Sequence, residues 1–232
     1  MNSNISVNLI LFDLDDTLID FESSSVVALE SVCKAQGLSN PLEDYFSAYS
    51  RINLKLWSQL ELGEVTADFV RVERFRRLCQ QMKWQADVQK MAESYLTEIT
   101  SSVKLIPFAK EVCEKLSQTF DLGIITNGLT QVQKARFRKS GLETYFKFLM
   151  TSEEQGYHKP DQRIFVDAIN KLPKKELAKT LVVGDRIESD ILGAKRLGIR
   201  SVWLNRHGRP NMTLIKPDFE ISCLSELTKL VL

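Results

Sequence analysis

The first apolar run of the chain ends in Phe12-Asp13-Leu14-Asp15-Asp16-Thr17-Leu18. In an extended segment, residues two apart point the same way, roughly 6–7 Å apart. Asp13 and Asp15 therefore leave the end of that run together. Two like charges held side by side are costly unless a proton or a cation sits between them. A hard divalent ion with oxygen ligands, most simply Mg²⁺, resolves the conflict. Three later stretches have related chemistry. Leu122 to Gly128 ends an apolar run on Thr126, then offers Asn127, Gly128 and backbone amides ahead of a helical pattern. A helix N-terminus favours an anion. His158-Lys159-Pro160-Asp161 sets one lysine before another helical pattern, with the proline expected at its first turn. Val182-Val-Gly184-Asp185-Arg-Ile-Glu-Ser-Asp190 adds a carboxylate at a strand end and another five residues later. Alone, each piece reads as a turn, a cap or a solvated side chain. In this order, each after an apolar run, they describe one site.

The elements that must position these residues alternate. Short β-rich runs fall at Asn8–Phe12, Leu122–Thr126, Phe148–Thr151, Thr180–Gly184 and Ser201–Leu204. Helical patterns fall at Pro107–Thr119, Thr130–Ser140, Asp161–Lys171 and Ser189–Leu197. Strand and helix at this spacing predict βαβ units and an α/β fold with a doubly wound parallel sheet. Uninterrupted apolar runs suit strands covered on both faces. Ligands in such sheets bind beyond the carboxyl ends of the strands, where all four motifs would lie.

Residues 21–102 break the alternation. They carry no convincing strand and a long amphipathic helical texture, with breaks near Gly37–Pro41 and at Gly63. Gly63 reads as a helix end and Thr66 as the next N-cap. The expected organisation is an α/β core over residues 1–20 and 103–232, with an inserted helical domain of about four helices over 21–102. The insert holds 9 Lys+Arg against 11 Asp+Glu, a net of −2, and is no basic arm.

Composition restricts the function classes. The chain has 232 residues, 44% hydrophobic and 26% charged, with 31 Lys+Arg against 30 Asp+Glu and a net charge of +1. That is ordinary globular composition, without the basic excess of a nucleic-acid binder. The opening residues through Val7 are polar and lack a basic cluster, and Leu9–Phe12 is too short for a signal core. No window approaches the roughly 20 apolar residues of a membrane span. Cys33, Cys79, Cys113 and Cys223 are scattered, with no CxxC pair, and read as buried free thiols of a reducing, cytoplasmic compartment. His158 and His207 are too far apart for a histidine metal site, and His158 is expected to be a solvated loop residue.

The combination of DLDDT at 13–17, Thr126, Lys159 and GDRIESD at 184–190 resembles the haloacid dehalogenase (HAD) superfamily. The resemblance covers the whole chain, including a helical cap inserted after the first motif. GIITNG (123–128), SGLETYF (140–146), SEEQGYHKP (152–160), GDRIESDILGA (184–194), LKLW (54–57) and LGEVT (62–66) look like the pyrimidine 5′-nucleotidase branch of its bacterial phosphatases.

The resemblance implies a Mg²⁺-dependent phosphatase of small phosphorylated metabolites, nucleoside monophosphates first. It implies that Asp13 attacks phosphorus and forms an aspartyl-phosphate. Asp15 would protonate the leaving oxygen and then activate water. The metal would be held by Asp13, the Asp15 backbone carbonyl and Asp185, with Asp190 behind them. Thr126, Asn127 and Lys159 would hold phosphoryl oxygens. Covalent catalysis with charge clamps suits so slow an uncatalysed hydrolysis. Thr17 is expected to shape its loop. Arg186 departs from the small or polar residue common at that place and is expected to be harmless. In the cap, Trp57 is a candidate substrate contact, though a core position competes. The Arg71, Arg74, Arg76, Arg77 cluster is expected to be a solvated face. Closure of the cap would exclude water and select the leaving group.

Other readings predict different chemistry. A phosphatase of sugar phosphates or phosphoglycolate shares the metal-dependent hydrolysis and differs in substrate. A phosphoglucomutase-type enzyme would return an isomerised sugar phosphate and no free phosphate. A dehalogenase is disfavoured by Asp15, since carbon–halogen displacement needs no acid for an ester oxygen. A non-catalytic regulatory protein is disfavoured by the intact Asp13, Asp15, Lys159 and Asp185 set.

Overall fold

The computed structural model describes residues 6–38 and 40–232, so the polar character of residues 1–5 lies outside it. The chain divides into two compact units. One runs to Asp20 and resumes at Leu105; the other is Phe21–Lys104.

The first unit opens with β1 (Leu9–Phe12). The helical unit that follows holds, among the described residues, α1 (Phe21–Ala35), α2 (Leu42–Glu61), α3 (Ala67–Met82) and α4 (Val88–Ser101). The chain then returns as α5 (Ala109–Ser117), β2 (Asp121–Thr126), α6 (Thr130–Ser140) and β3 (Phe148–Thr151). Next come α7 (Ser152–Gln155), α8 (Gln162–Asn170), β4 (Thr180–Gly184), a wide turn Ile187–Ile191, α9 (Leu192–Arg196) and β5 (Arg200–Leu204). The described chain closes with β6 (Phe219–Ile221) and α10 (Ser225–Val231).

Among the described residues the strands form one parallel sheet of order β3-β2-β1-β4-β5-β6. β1 lies between β2 and β4, with Phe12 opposite Ile124 and Val183. The order reverses direction beside β1, which is where such sheets bind ligands. All four residues of β1 and all five of β4 are buried, as the apolar LILF and LVVG runs require, and the Thr180 hydroxyl that opens β4 donates to the Glu176 carbonyl at 2.8 Å. One covering layer packs Ile164, Phe165 and Ala168 of α8 and Ala194 of α9 on Leu9, Leu11, Ile125 and Val182.

Element ends differ from the sequence expectation in physically simple ways. α5 begins two residues late, because Phe108 adopts a left-handed conformation (φ 67°) ahead of it. Pro160 is not in the first turn of α8: Asp161 is the N-cap, its side chain accepting from the Arg163 amide at 2.9 Å. β6 carries only three residues around a polar Glu220, too little apolar pattern to read as a strand.

In the helical unit α1 packs on α4 and α2 on α3. Thr66 is the N-cap of α3, as expected, and accepts from the Phe69 amide at 3.2 Å. Gly63 follows the end of α2 at φ 74°. The arginine cluster is not uniformly solvated. Arg74 is buried, its guanidinium 4.5 Å from the Tyr95 ring centroid and bonded to Asn53. Arg76 and Arg77 both pair with Glu73. Trp57 is partly buried against the Leu56, Leu60 and Val70 cluster, so its ring has a packing role inside the unit.

All four cysteines are free, with Cys33, Cys79 and Cys113 buried and Cys223 only half-buried. Among the described residues no helix is long and apolar enough to cross a membrane.

Candidate active site

The motif residues gather at the carboxyl ends of β1, β2 and β4. Asp13 follows Phe12 directly, and its amide donates to the Val183 carbonyl at 2.9 Å, which extends the β1–β4 pairing by one residue. The chain then folds into a tight loop: Asp16 takes a left-handed conformation (φ 58°) and its amide donates to the Ile19 carbonyl. Aspartate tolerates that conformation better than most residues. Thr17 is fully buried inside the loop, but its hydroxyl meets no hydrogen-bond partner, so it shapes the loop by packing alone.

Lys159 is the electrostatic centre. It is 2% exposed, and its Nζ donates to Asp13 Oδ1 (2.5 Å), Asp190 Oδ1 (2.6 Å) and the Ile125 carbonyl (2.8 Å). An ammonium has three hydrogens, so all are engaged. Burial by itself would lower the lysine, but the Asp13 and Asp190 carboxylates hold it above its ordinary range. Asp13 is pushed up to about 7, by desolvation first and by Asp190 and Asp15 after that, against the opposing pull of Lys159. The Asn127 side chain fixes the lysine's backbone from both sides: its Oδ1 accepts from the Lys159 amide (2.9 Å) and its Nδ2 donates to the Lys159 carbonyl (3.0 Å). The sequence had offered Asn127 only for its own amide.

Asp190 reaches the lysine because the chain after β4 does not enter an α-helix at Ser189. It takes a wider turn over Ile187–Ile191, which returns the carboxylate over Gly184. Wide turns of this type recur at functional sites. Asp190 Oδ2 accepts from the Arg186 amide at 3.1 Å, so the unusual Arg186 contributes here through its backbone. A Cβ on Gly184 would lie 2.4 Å from the Asp190 carboxylate carbon, inside any real contact distance. Gly184→Ala is therefore expected to cost about 1–3 kcal/mol in chemical denaturation by overpacking. It should also dislodge Asp190 from Lys159; unchanged stability would refute this account of the glycine.

Asp13, Asp185 and Asp190 each present a carboxylate oxygen within 4.8 Å of the others, close enough to share a cation. Asp185 Oδ1 is buried and without a hydrogen-bond partner. Its carboxyl is held well above the ordinary range, by desolvation first, then by the charges of Asp13, Asp190 and Asp16, with Arg186 opposing. Its backbone is fixed by the Trp203 indole, which donates to its carbonyl at 2.8 Å. A buried carboxylate oxygen with no partner, beside two more carboxylates, is the chemistry of a divalent-cation site.

The Asp15 carboxylate does not join that group. It turns to α6, where Gln133 Nε2 donates to Oδ2 at 2.9 Å and Arg136 Nη1 donates to Oδ1. As a metal ligand only its backbone carbonyl is left to consider. Gln133 and Arg136, 2% and 0% exposed, were not singled out in the sequence. Gln133 Nε2 also donates to Thr126 Oγ1 at 2.6 Å, with Thr126 itself buried. At the start of α6, the Gly128 and Thr130 amides are already taken by Ser152 Oγ and Glu153 Oε2. They are not spare donors for an anion. His158 is half-buried rather than solvated, and burial lowers its imidazole.

A parallel sheet of this order, with acidic residues at the ends of β1 and β4 around a buried lysine, defines an α/β protein with a carboxylate-rich site at the strand ends. Residues 10–204 match the family model for haloacid dehalogenase-like hydrolase, and the chain belongs to that family. It is 35% identical to the HAD-hydrolase YfnB of Bacillus subtilis over 219 residues, 94% of this chain and 92% of that protein. It is 31% identical to the pyrimidine 5′-nucleotidase PynA of Streptococcus pneumoniae (94% of this chain, 92% of that one). It is also 31% identical to the pyrimidine 5′-nucleotidase YjjG of Escherichia coli (96% of each). A crystal structure of B. subtilis YfnB bound to magnesium superposes with a TM-score of 0.90 at 33% identity, covering 97% of this chain and 98% of that one.

Proposed function

We propose that this chain is a Mg²⁺-dependent phosphomonoester hydrolase that works through a phosphorylated Asp13, and that its substrates are nucleoside monophosphates, pyrimidine ones first. The observation that carries the reading is the Asp13 carboxylate held on Lys159 beside an Asp185 oxygen that is buried and without a partner. The substrate class is supported by the two nucleotidase relatives.

Asp13 attacks phosphorus. Its oxygen forms a new O–P bond as the ester O–P bond breaks, and Asp15 delivers a proton to the leaving oxygen. Water then attacks the aspartyl-phosphate while Asp15 takes its proton, which releases inorganic phosphate and restores Asp13. Lys159 offsets the negative charge that accumulates around Asp13 in both steps. Thr126 donates its hydroxyl to a phosphoryl oxygen, with the Asn127 amide beside it. Asp13, Asp185 and the Asp15 backbone carbonyl would hold the cation, and Asp190, which accepts from Lys159 and the Arg186 amide, would support that set. When bound, the cation supplies Lewis-acid neutralisation of the phosphoryl oxygens. The free thiols support a reducing, cytoplasmic setting. The net charge of +1 supports a small metabolite over a nucleic-acid polymer.

A panel of pyrimidine and purine nucleoside monophosphates, sugar phosphates and phosphoglycolate, assayed by phosphate release with Mg²⁺, tests the substrate. The expected ranking by kcat/KM puts pyrimidine nucleotides first. Equal or better turnover of sugar phosphates would replace the nucleotidase reading with a general metabolite phosphatase.

A further inference from the structure

The Asp15 carboxylate, Thr126 and the glycine of the Thr126-Asn127-Gly128 stretch converge on one amide side chain that the chemistry above does not use. We propose that Gln133 is a positioning residue of the reaction, holding the acid–base carboxylate of Asp15 in register with the phosphate-binding hydroxyl of Thr126, and that Arg136 anchors it. The assignment rests on the phosphatase reading above.

The orientation of the Gln133 amide follows from its neighbours. The Arg136 guanidinium donates only, so it must face the Gln133 oxygen and leaves the nitrogen to the Asp15 carboxylate. Gln133 Nε2 therefore faces Asp15 Oδ2 at 2.9 Å, and Oε1 faces Arg136 Nη1 at 3.4 Å. The second hydrogen of Nε2 goes to Thr126 Oγ1 at 2.6 Å. Thr126 thus accepts from Gln133, and its single hydrogen is directed elsewhere, which suits a phosphoryl oxygen. Gln133 and Arg136 stand one helical turn apart, so both reach the same carboxylate from one face of α6. Each oxygen of Asp15 then has its own donor, which fixes the rotation of the carboxylate as well as its place.

Gly128 provides an independent observation. Its φ needs no glycine, yet a Cβ there would lie 2.9 Å from Gln133 Cγ and 3.0 Å from its Cδ. Glycine at this point keeps open the path of the Gln133 side chain. Gly128→Ala should displace Gln133 without removing any group that meets the substrate.

A staple that merely joins α6 to the β1 loop would lower activity on every ester alike. A group that aims the acid would matter most where the leaving oxygen needs a proton. The test compares kcat/KM for a nucleoside monophosphate, whose alkoxide leaves poorly, with kcat/KM for p-nitrophenyl phosphate, whose anion leaves readily. Both are measured with Mg²⁺ for wild type, Gln133→Ala, Gly128→Ala, Arg136→Met and Arg136→Lys. Misaligning a reacting group costs about 10²-fold, so the nucleotide-to-aryl ratio is expected to fall at least about tenfold in the first three variants. Arg136→Lys should recover part of the ratio. A ratio unchanged from wild type, with both esters slowed equally or not at all, overturns the inference. Should Gln133→Ala fail to fold, Gly128→Ala carries the same comparison. Failure of the wild type to hydrolyse either ester would instead strike the phosphatase reading itself.

Discussion

Asp13→Asn is expected to remove phosphate release by at least about 10⁴-fold, as loss of a nucleophile does when the rest of the site remains. Asparagine matches aspartate in shape, so the end of β1 and the backbone hydrogen bond from residue 13 to the Val183 carbonyl should persist. What it lacks is the anionic oxygen that forms the O–P bond, and no neighbour replaces it. Asp190 is committed to Lys159 and the Arg186 amide, and Asp15 to Gln133 and Arg136. Lys159 keeps two of its three acceptors, Asp190 and the Ile125 carbonyl, so the buried ammonium is not stranded. Burial already works against a charge on Asp13, so a neutral isostere also relieves part of that cost. Thermal unfolding should therefore stay close to wild type while turnover disappears. Turnover within tenfold of wild type would exclude Asp13 as the nucleophile; a collapsed melting curve would make the loss structural.

The residues at the strand ends were legible in the sequence because burial on both faces leaves an unmistakable trace. LILF and LVVG carry no polar side chain, so the aspartates that follow such runs stand out. The reading fails where a contact depends on the roll of a helix. α6 reads Thr-Gln-Val-Gln-Lys-Ala-Arg-Phe-Arg-Lys-Ser, with four cations and little apolar period. Nothing in it distinguishes Arg136, which is fully buried against Asp15, from Lys134, Arg138 and Lys139, which are exposed. Arg74 was hidden in the same way among three neighbouring arginines. Asp190 was legible as a site residue but not in its position, since its bond to Lys159 depends on a wide turn that no residue type announces. The Asp15 carboxylate was expected to share the metal's surroundings because alternation in a strand places it beside Asp13. The left-handed Asp16 ends that alternation, and two donors from α6 capture the side chain.

Mg²⁺ is expected to stabilise the metal-free protein, and Asp185→Asn is expected to change that response in two directions at once. Binding to the folded state alone adds about 2.7 kcal/mol at 100 times Kd, which corresponds to a rise in Tm of about 5–10 °C for a protein of this size. Asp185 should carry most of the effect. Both oxygens of Asp190 already have donors, and Asp13 Oδ1 has Lys159, whereas Asp185 Oδ1 has none. Without metal, a charge on that carboxyl is opposed by burial first and then by Asp13 and Asp190, so the neutral amide should raise the metal-free Tm. With Mg²⁺ the variant should gain little, and removal of metal by chelation should abolish turnover in the wild type. Glu188→Gln, an exposed change in the same turn, should keep the wild-type response and so serves as the control. An Asp185→Asn protein that still gains the full Mg²⁺ shift would place the cation elsewhere. A metal-free Tm below wild type would mean that Asp185 is held by interactions that favour its charge. The two measurements separate these outcomes because the same oxygen is costly without the cation and needed with it.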